Sequence, residues 1–193
     1  MTSLLSALSR TVNRRVIYPA ALALRGELKT YPTLRALESR QWENEDETRR
    51  RLESRLARAL THAARSVPFY RHRWDLEDPL DADDDIFDVL RELPALTKED
   101  LQRNRDALLS EEKPRRVTHK TTGGSTGQPV TVVKDRKALA RERAASWLGY
   151  GWFGVEIGDM GARFWGSSAD LDGRRLRYAA ADLAMNRMRF SAF

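Results

Sequence analysis

Val117-Thr118-His119-Lys120-Thr121-Thr122-Gly123-Gly124-Ser125-Thr126-Gly127-Gln128-Pro129-Val130-Thr131-Val132-Val133 is where the texture of the chain changes, just after Pro114. Val117 to Lys120 alternates as a strand does. Val130 to Val133 is β-branched throughout and is the best strand in the sequence. Between them, Thr121 to Pro129 is a loop of small and hydroxyl residues. Its glycines allow positive φ and close approach of backbone to a ligand. Successive N–H groups can then form an anion-binding nest, with the Ser and Thr hydroxyls as further donors. A polyphosphate matches such a loop, although the Gly-Lys-Ser/Thr ending of a Walker A sequence is replaced by Gln128-Pro129. A flexible hairpin tip would use the same residues, so composition leaves both readings open.

Working outward, Asp135 caps a helix running to about Tyr150, and Met160 to Trp165 is another strand. Upstream, Thr97-Lys98-Glu99-Asp100 reads as a capping box opening a helix to Leu109, with Leu101 and Leu108 inward. A longer helix is expected from Glu45 to Ser66. There Leu52, Leu56, Leu60, Ala63 and Val67 recur on one face, and Pro68 ends the run. Phe69, Tyr70 and Trp74 form a compact aromatic cluster suited to a core. Residues 4–40 predict short helices broken at Pro19, Gly26 and Pro32. Helices come first, then strand-loop-strand-helix-strand. The expected fold is α/β: a mainly helical region over 1–113 leads into an α/β region over 114–193.

The 193 residues include no cysteine, which excludes a disulfide scaffold, a Cys-ligated zinc site and a thiol nucleophile. His62, His72 and His119 are scattered. No apolar run approaches the roughly 18 residues of a membrane span. The N-terminal apolar stretch Val16 to Leu24 is interrupted by Pro19 and lacks a signal-cleavage pattern, so a cytoplasmic protein is expected. The net charge of +6 is uneven: +5 over residues 1–41, zero over 42–80, −3 over 81–120 and +4 over 121–193. Arg49-Arg50-Arg51 follows Glu43, Glu45, Asp46 and Glu47, which suits a solvated helix and its dipole better than a nucleic-acid surface.

Two other motifs carry less. Gly149-Tyr150-Gly151-Trp152-Phe153-Gly154 spells the dinucleotide fingerprint, but a helix precedes it and Trp152 and Phe153 crowd it. It reads as a helix end and a glycine-rich turn. Asp81, Asp83, Asp85 and Glu92 fit a calcium-loop spacing, but Ile86 stands where the sharp turn needs Gly. It reads as an acidic loop capping a short helix.

The segment Thr122 to Pro129 resembles the phosphate-binding signature of the adenylate-forming enzymes, with Gln128 in place of the common Lys. Its surroundings narrow the resemblance. His62-Ala63-Ala64-Arg65-Ser66-Val67-Pro68-Phe69-Tyr70-Arg71 and Leu93-Pro94-Ala95-Leu96-Thr97-Lys98 are similar to segments of the phenylacetate–CoA ligase branch, which includes coenzyme F390 synthetases and capsule-polysaccharide relatives. Gly158-Asp159 and Trp165-Gly166 are similar as well. The pieces lie in order from about Gln41 onward.

This resemblance implies an N-terminal fragment of an ATP-dependent carboxylate–CoA ligase, inactive alone, since members of the branch are more than twice as long. ATP, Mg²⁺, CoA and a small carboxylic acid are the implied cofactors and partners. Thr121, Thr122, Gly123, Gly124, Ser125, Thr126 and Gly127 are the implied phosphate-binding residues, with Lys120 and Lys134 as nearby cations. The alternative is a non-catalytic remnant or interaction module related to polysaccharide-biosynthesis proteins. The resemblance also implies that 114–193 is the start of an α/β nucleotide-binding domain with an incomplete sheet, in which an antiparallel strand pair around the loop belongs to a larger sheet. An unpaired edge of that sheet would favour self-association.

Overall fold

The computed structural model describes residues 2–74, 85–112, 116–122, 129–165, 175–184 and 186–191. It mixes helices with short strands, in the order α1 (Thr2–Val12), a π-helical segment (Asn13–Ile17), α2 (Tyr18–Arg25), α3 (Thr30–Arg40), α4 (Glu45–Ser66), α5 (Pro68–Arg73), α6 (Ile86–Glu92), α7 (Lys98–Arg103), β1 (Val117–Thr121), β2 (Thr131–Asp135), α8 (Arg136–Gly151), β3 (Gly161–Trp165), α9 (Arg175–Ala184) and β4 (Arg187–Ser191). Two units form: residues 39–136, and residues 1–38 together with 137–193.

In the unit of residues 39–136, α4 has the expected bounds. Asn44 caps it: its side chain accepts from the Glu47 N–H at 2.9 Å, and the Glu47 carboxylate accepts from the Asn44 N–H at 3.2 Å. Leu60 and Val67 are buried on the anticipated face, while Leu52 at its start is exposed. Val67 turns to extended backbone, and Pro68 then serves as the first residue of α5, where its missing N–H costs nothing. Tyr70 stacks on Trp74 at 4.2 Å and meets Phe69 edge-on at 5.3 Å. Arg73 crosses to the loop ahead of α7, donating to the Ala95 carbonyl at 3.1 Å and pairing with Asp100 at 2.9 Å. The capping box at Thr97 is formed, but α7 stops at Arg103 instead of reaching Leu109. Asn104 leaves helical backbone, and its N–H and side-chain amide both donate to the Asp100 carbonyl, closing the helix there.

In the other unit, α1, the π segment and α2 run on as one helical stretch, and the break expected at Pro19 does not occur. The Tyr18 N–H reaches back five residues to the Asn13 carbonyl. That wider turn lies just ahead of Pro19 and makes room for a ring that would clash in a regular helix. Gly26, at φ 69°, ends α2 in the left-handed conformation. Pro32 falls in the first turn of α3 and is tolerated there too.

Tyr18, Leu22 and Ile157 form the buried core of this unit, with Tyr31, Leu34 and Trp147 against it. The Trp147 indole N–H donates to the Tyr18 hydroxyl at 2.6 Å. Arg143 donates to the buried Glu27 carboxylate at 2.8 Å. Burial works against the Arg143 charge, but Glu27 and Tyr18 outweigh it and hold the guanidinium above its ordinary pKa.

β3 and β4 pair in parallel, with Gly161 opposite Arg187 and Phe164 opposite Phe190, joined through α9. β1 and β2 form a separate antiparallel pair. The single larger sheet expected for them is not formed among the described residues. Sequence reasoning gave neither α9 nor β4.

Candidate functional site

The hairpin β1–β2 carries the candidate site. Its register runs from Val117 opposite Asp135 to Thr121 opposite Thr131, and it pairs antiparallel as expected. Beyond the strands, the Thr122 N–H donates to the Val130 carbonyl at 2.9 Å, and the Val130 N–H donates to the Thr122 hydroxyl oxygen at 3.0 Å. The Thr121 and Thr131 hydroxyls are 2.8 Å apart. Val130 is buried, which anchors the returning strand.

The loop's two ends are therefore pinned by backbone and hydroxyl together. Thr122 uses one lone pair on Val130 and keeps its O–H for another acceptor. Gly123, Gly124, Ser125, Thr126 and Gly127 lie outside the described residues.

The alternating register puts Lys120 and Lys134 on the face that also holds Thr122, and His119 on the opposite face with Thr121. His119 is a strand residue, 3.4 Å from the Arg105 guanidinium.

Asp85, from the calcium-like spacing, caps α6 by accepting from the Phe87 N–H at 2.9 Å and pairs with Arg49 at 2.8 Å. Asp81 and Asp83 lie outside the described residues. Among the described residues, no three His, Asp or Glu side chains gather as a metal set. The G-x-G-x-x-G run falls at the end of α8 and in the turn after it, with Gly154 at φ 72°.

A polar cluster that the sequence reading missed lies between α9 and the β3–β4 pair. Asp182 accepts from Arg187 at 2.5 Å and from Arg189 at 2.9 and 3.2 Å. Arg163, across the register from Arg189, is held below its ordinary pKa by burial first and then by repulsion from Arg187 and Arg189. The alternation Arg187-Met188-Arg189-Phe190 was the signal that would have shown this strand.

Compared with family models, curated proteins and solved structures, the chain matches none of them.

Proposed function

We propose that the chain is the N-terminal part of an ATP-dependent, adenylate-forming carboxylate–CoA ligase, acting in the cytoplasm. Thr121 to Gly127 would be its cradle for the ATP phosphates. The observation that carries this reading is the run Thr122-Gly123-Gly124-Ser125-Thr126-Gly127 followed by Pro129, standing after the Val67–Arg71 and Leu93–Lys98 segments in the order of the resembling branch. The antiparallel stem supports it. Pinning both ends of a glycine-rich loop lowers the entropy lost when it closes on a ligand. Arg73 supports it as well, since it ties α5 to the Leu93–Lys98 segment.

In the reaction, a carboxylate oxygen attacks the α-phosphorus of ATP, and the bond to the β-phosphate oxygen breaks. An acyl-adenylate and pyrophosphate result. The CoA thiol then displaces AMP. The loop's part is to hold the β- and γ-phosphates in place as charge builds on the leaving group. Thr122, Ser125 and Thr126 donate from hydroxyls, while Gly123, Gly124 and Gly127 let the backbone approach. Mg²⁺ would accompany the phosphates; among the described residues no three His, Asp or Glu side chains gather to hold it.

Titration with ATP, tripolyphosphate and AMP, followed by amide shifts, tests the reading. ATP and tripolyphosphate should move the Thr121–Gly127 amides and AMP should not. Gly124→Val should abolish the response with the fold kept. An equal response to AMP, or shifts confined elsewhere, would refute the site.

A further inference from the structure

The N-terminal helical stretch is docked along one line of side chains and bare along another. Asn13, Tyr18 and Leu22 are buried. Asn13 and Tyr18 are five residues apart, one turn of the π segment, and Leu22 follows by four. On the outer side, Leu8, Val12, Val16, Ala20 and Leu24 recur every four residues and all are exposed; Leu24 is 86% exposed and Val16 61%. In a regular helix each four-residue step drifts by about 40°. The wider π turn takes back part of that drift, so the apolar row stays on one side for about 24 Å.

The row is held outward by its inner side. Arg10 pairs with Asp159 at 3.0 Å, and Arg14 with Glu156. Gly158, at φ 98°, lies so close under the helix that a Cβ there would sit 2.8 Å from the Arg10 carbonyl. Charge is concentrated in the same unit. Residues 1–38 and 137–193 carry 15 basic and 8 acidic side chains, a net +7, whereas residues 39–136 carry 19 and 20, a net −1. Arg15 and Lys29 are exposed on and just after this helical stretch.

We propose that this stretch is an interfacial anchor that lays its Leu8–Leu24 row onto an anionic membrane surface, independently of any phosphate loop. An apolar row on a basic body matches a bilayer, where aliphatic side chains enter the acyl boundary and cations meet lipid phosphates. A second copy would bring two +7 bodies together. A nucleic acid would leave the aliphatic row unused.

Vesicle flotation of the full chain tests this, using phosphatidylcholine alone and with about one-third phosphatidylglycerol. Light scattering of the protein alone reports its oligomeric state. Binding should require the anionic lipid and weaken with salt. Val16→Asp and Leu24→Asp, both on the outer side, should each lower partition by roughly tenfold or more with an unchanged circular dichroism spectrum. Arg15→Glu should weaken it without touching the apolar row. No binding to anionic vesicles, equal binding to neutral ones, or binding indifferent to both Asp variants overturns the proposal. So does a dimer that Val16→Asp dissociates, which would assign the row to a second copy.

Discussion

Asp182 shows how one carboxylate organises an otherwise repulsive cluster. Burial pushes its pKa up, but hydrogen bonds from Arg189 and Arg187 outweigh that and hold the carboxyl below its usual range. Asp182→Asn keeps the shape and removes the charge, leaving Arg163, Arg187 and Arg189 to repel one another. It should cost about 2 kcal/mol at neutral pH. The pH dependence has a defined sign. A depressed folded pKa gives stability that is present above the usual carboxylate range and lost as pH falls through the depressed value. Denaturant melts of both proteins should therefore show a gap at neutral pH that closes in acid; a gap independent of pH would count against the charge. Tyr31 is shifted the other way: burial first, then Tyr18, pushes its phenol up to about 12. The sequence showed these residues singly. That Arg163 stands beside Arg187 and Arg189 depends on the pairing of β3 with β4, which is not written locally.

Helix ends were the most legible elements. The Thr97 box was read from four consecutive residues, because capping uses only neighbours. α4 was read from its spacing, and its bounds hold. The Asn44 cap carries the same local signal, with Glu47 three residues after it, within an acidic first turn that also suits the helix dipole. Asn44→Ala removes the acceptor for the Glu47 N–H and should cost about 1 kcal/mol, measured as a lower melting midpoint; restoration by Asn44→Asp would confirm capping as the cause. Breakers were less legible. Gly26 ends a helix, whereas Pro19 and Pro32 do not. A proline's effect depends on the turn just ahead of it, and no residue in Asn13–Ile17 announces a π turn.

At the scale of the molecule, residues 39–136 form one unit within a single continuous stretch, with its core at Leu60, Val67 and Ile86. A fragment of residues 39–136 should fold alone and melt cooperatively by circular dichroism. Residues 137–193 alone should not, because Trp147, Arg143 and Glu156 find their partners Tyr18, Glu27 and Arg14 in the first 38 residues. A cooperative melt of the second fragment alone would contradict that division. The sequence by itself determined the mixture of helices and strands, the bounds of α4 and, to about a residue, of α8, and the two strands that flank the Thr121–Pro129 loop, since propensity, capping and turn residues act within a few positions. Only the tertiary structure decided which side of the N-terminal helix is buried, that β3 pairs in parallel with β4, and that Gly158 meets Arg10. Those outcomes rest on contacts between residues more than twenty positions apart, and no local pattern in this chain specifies them.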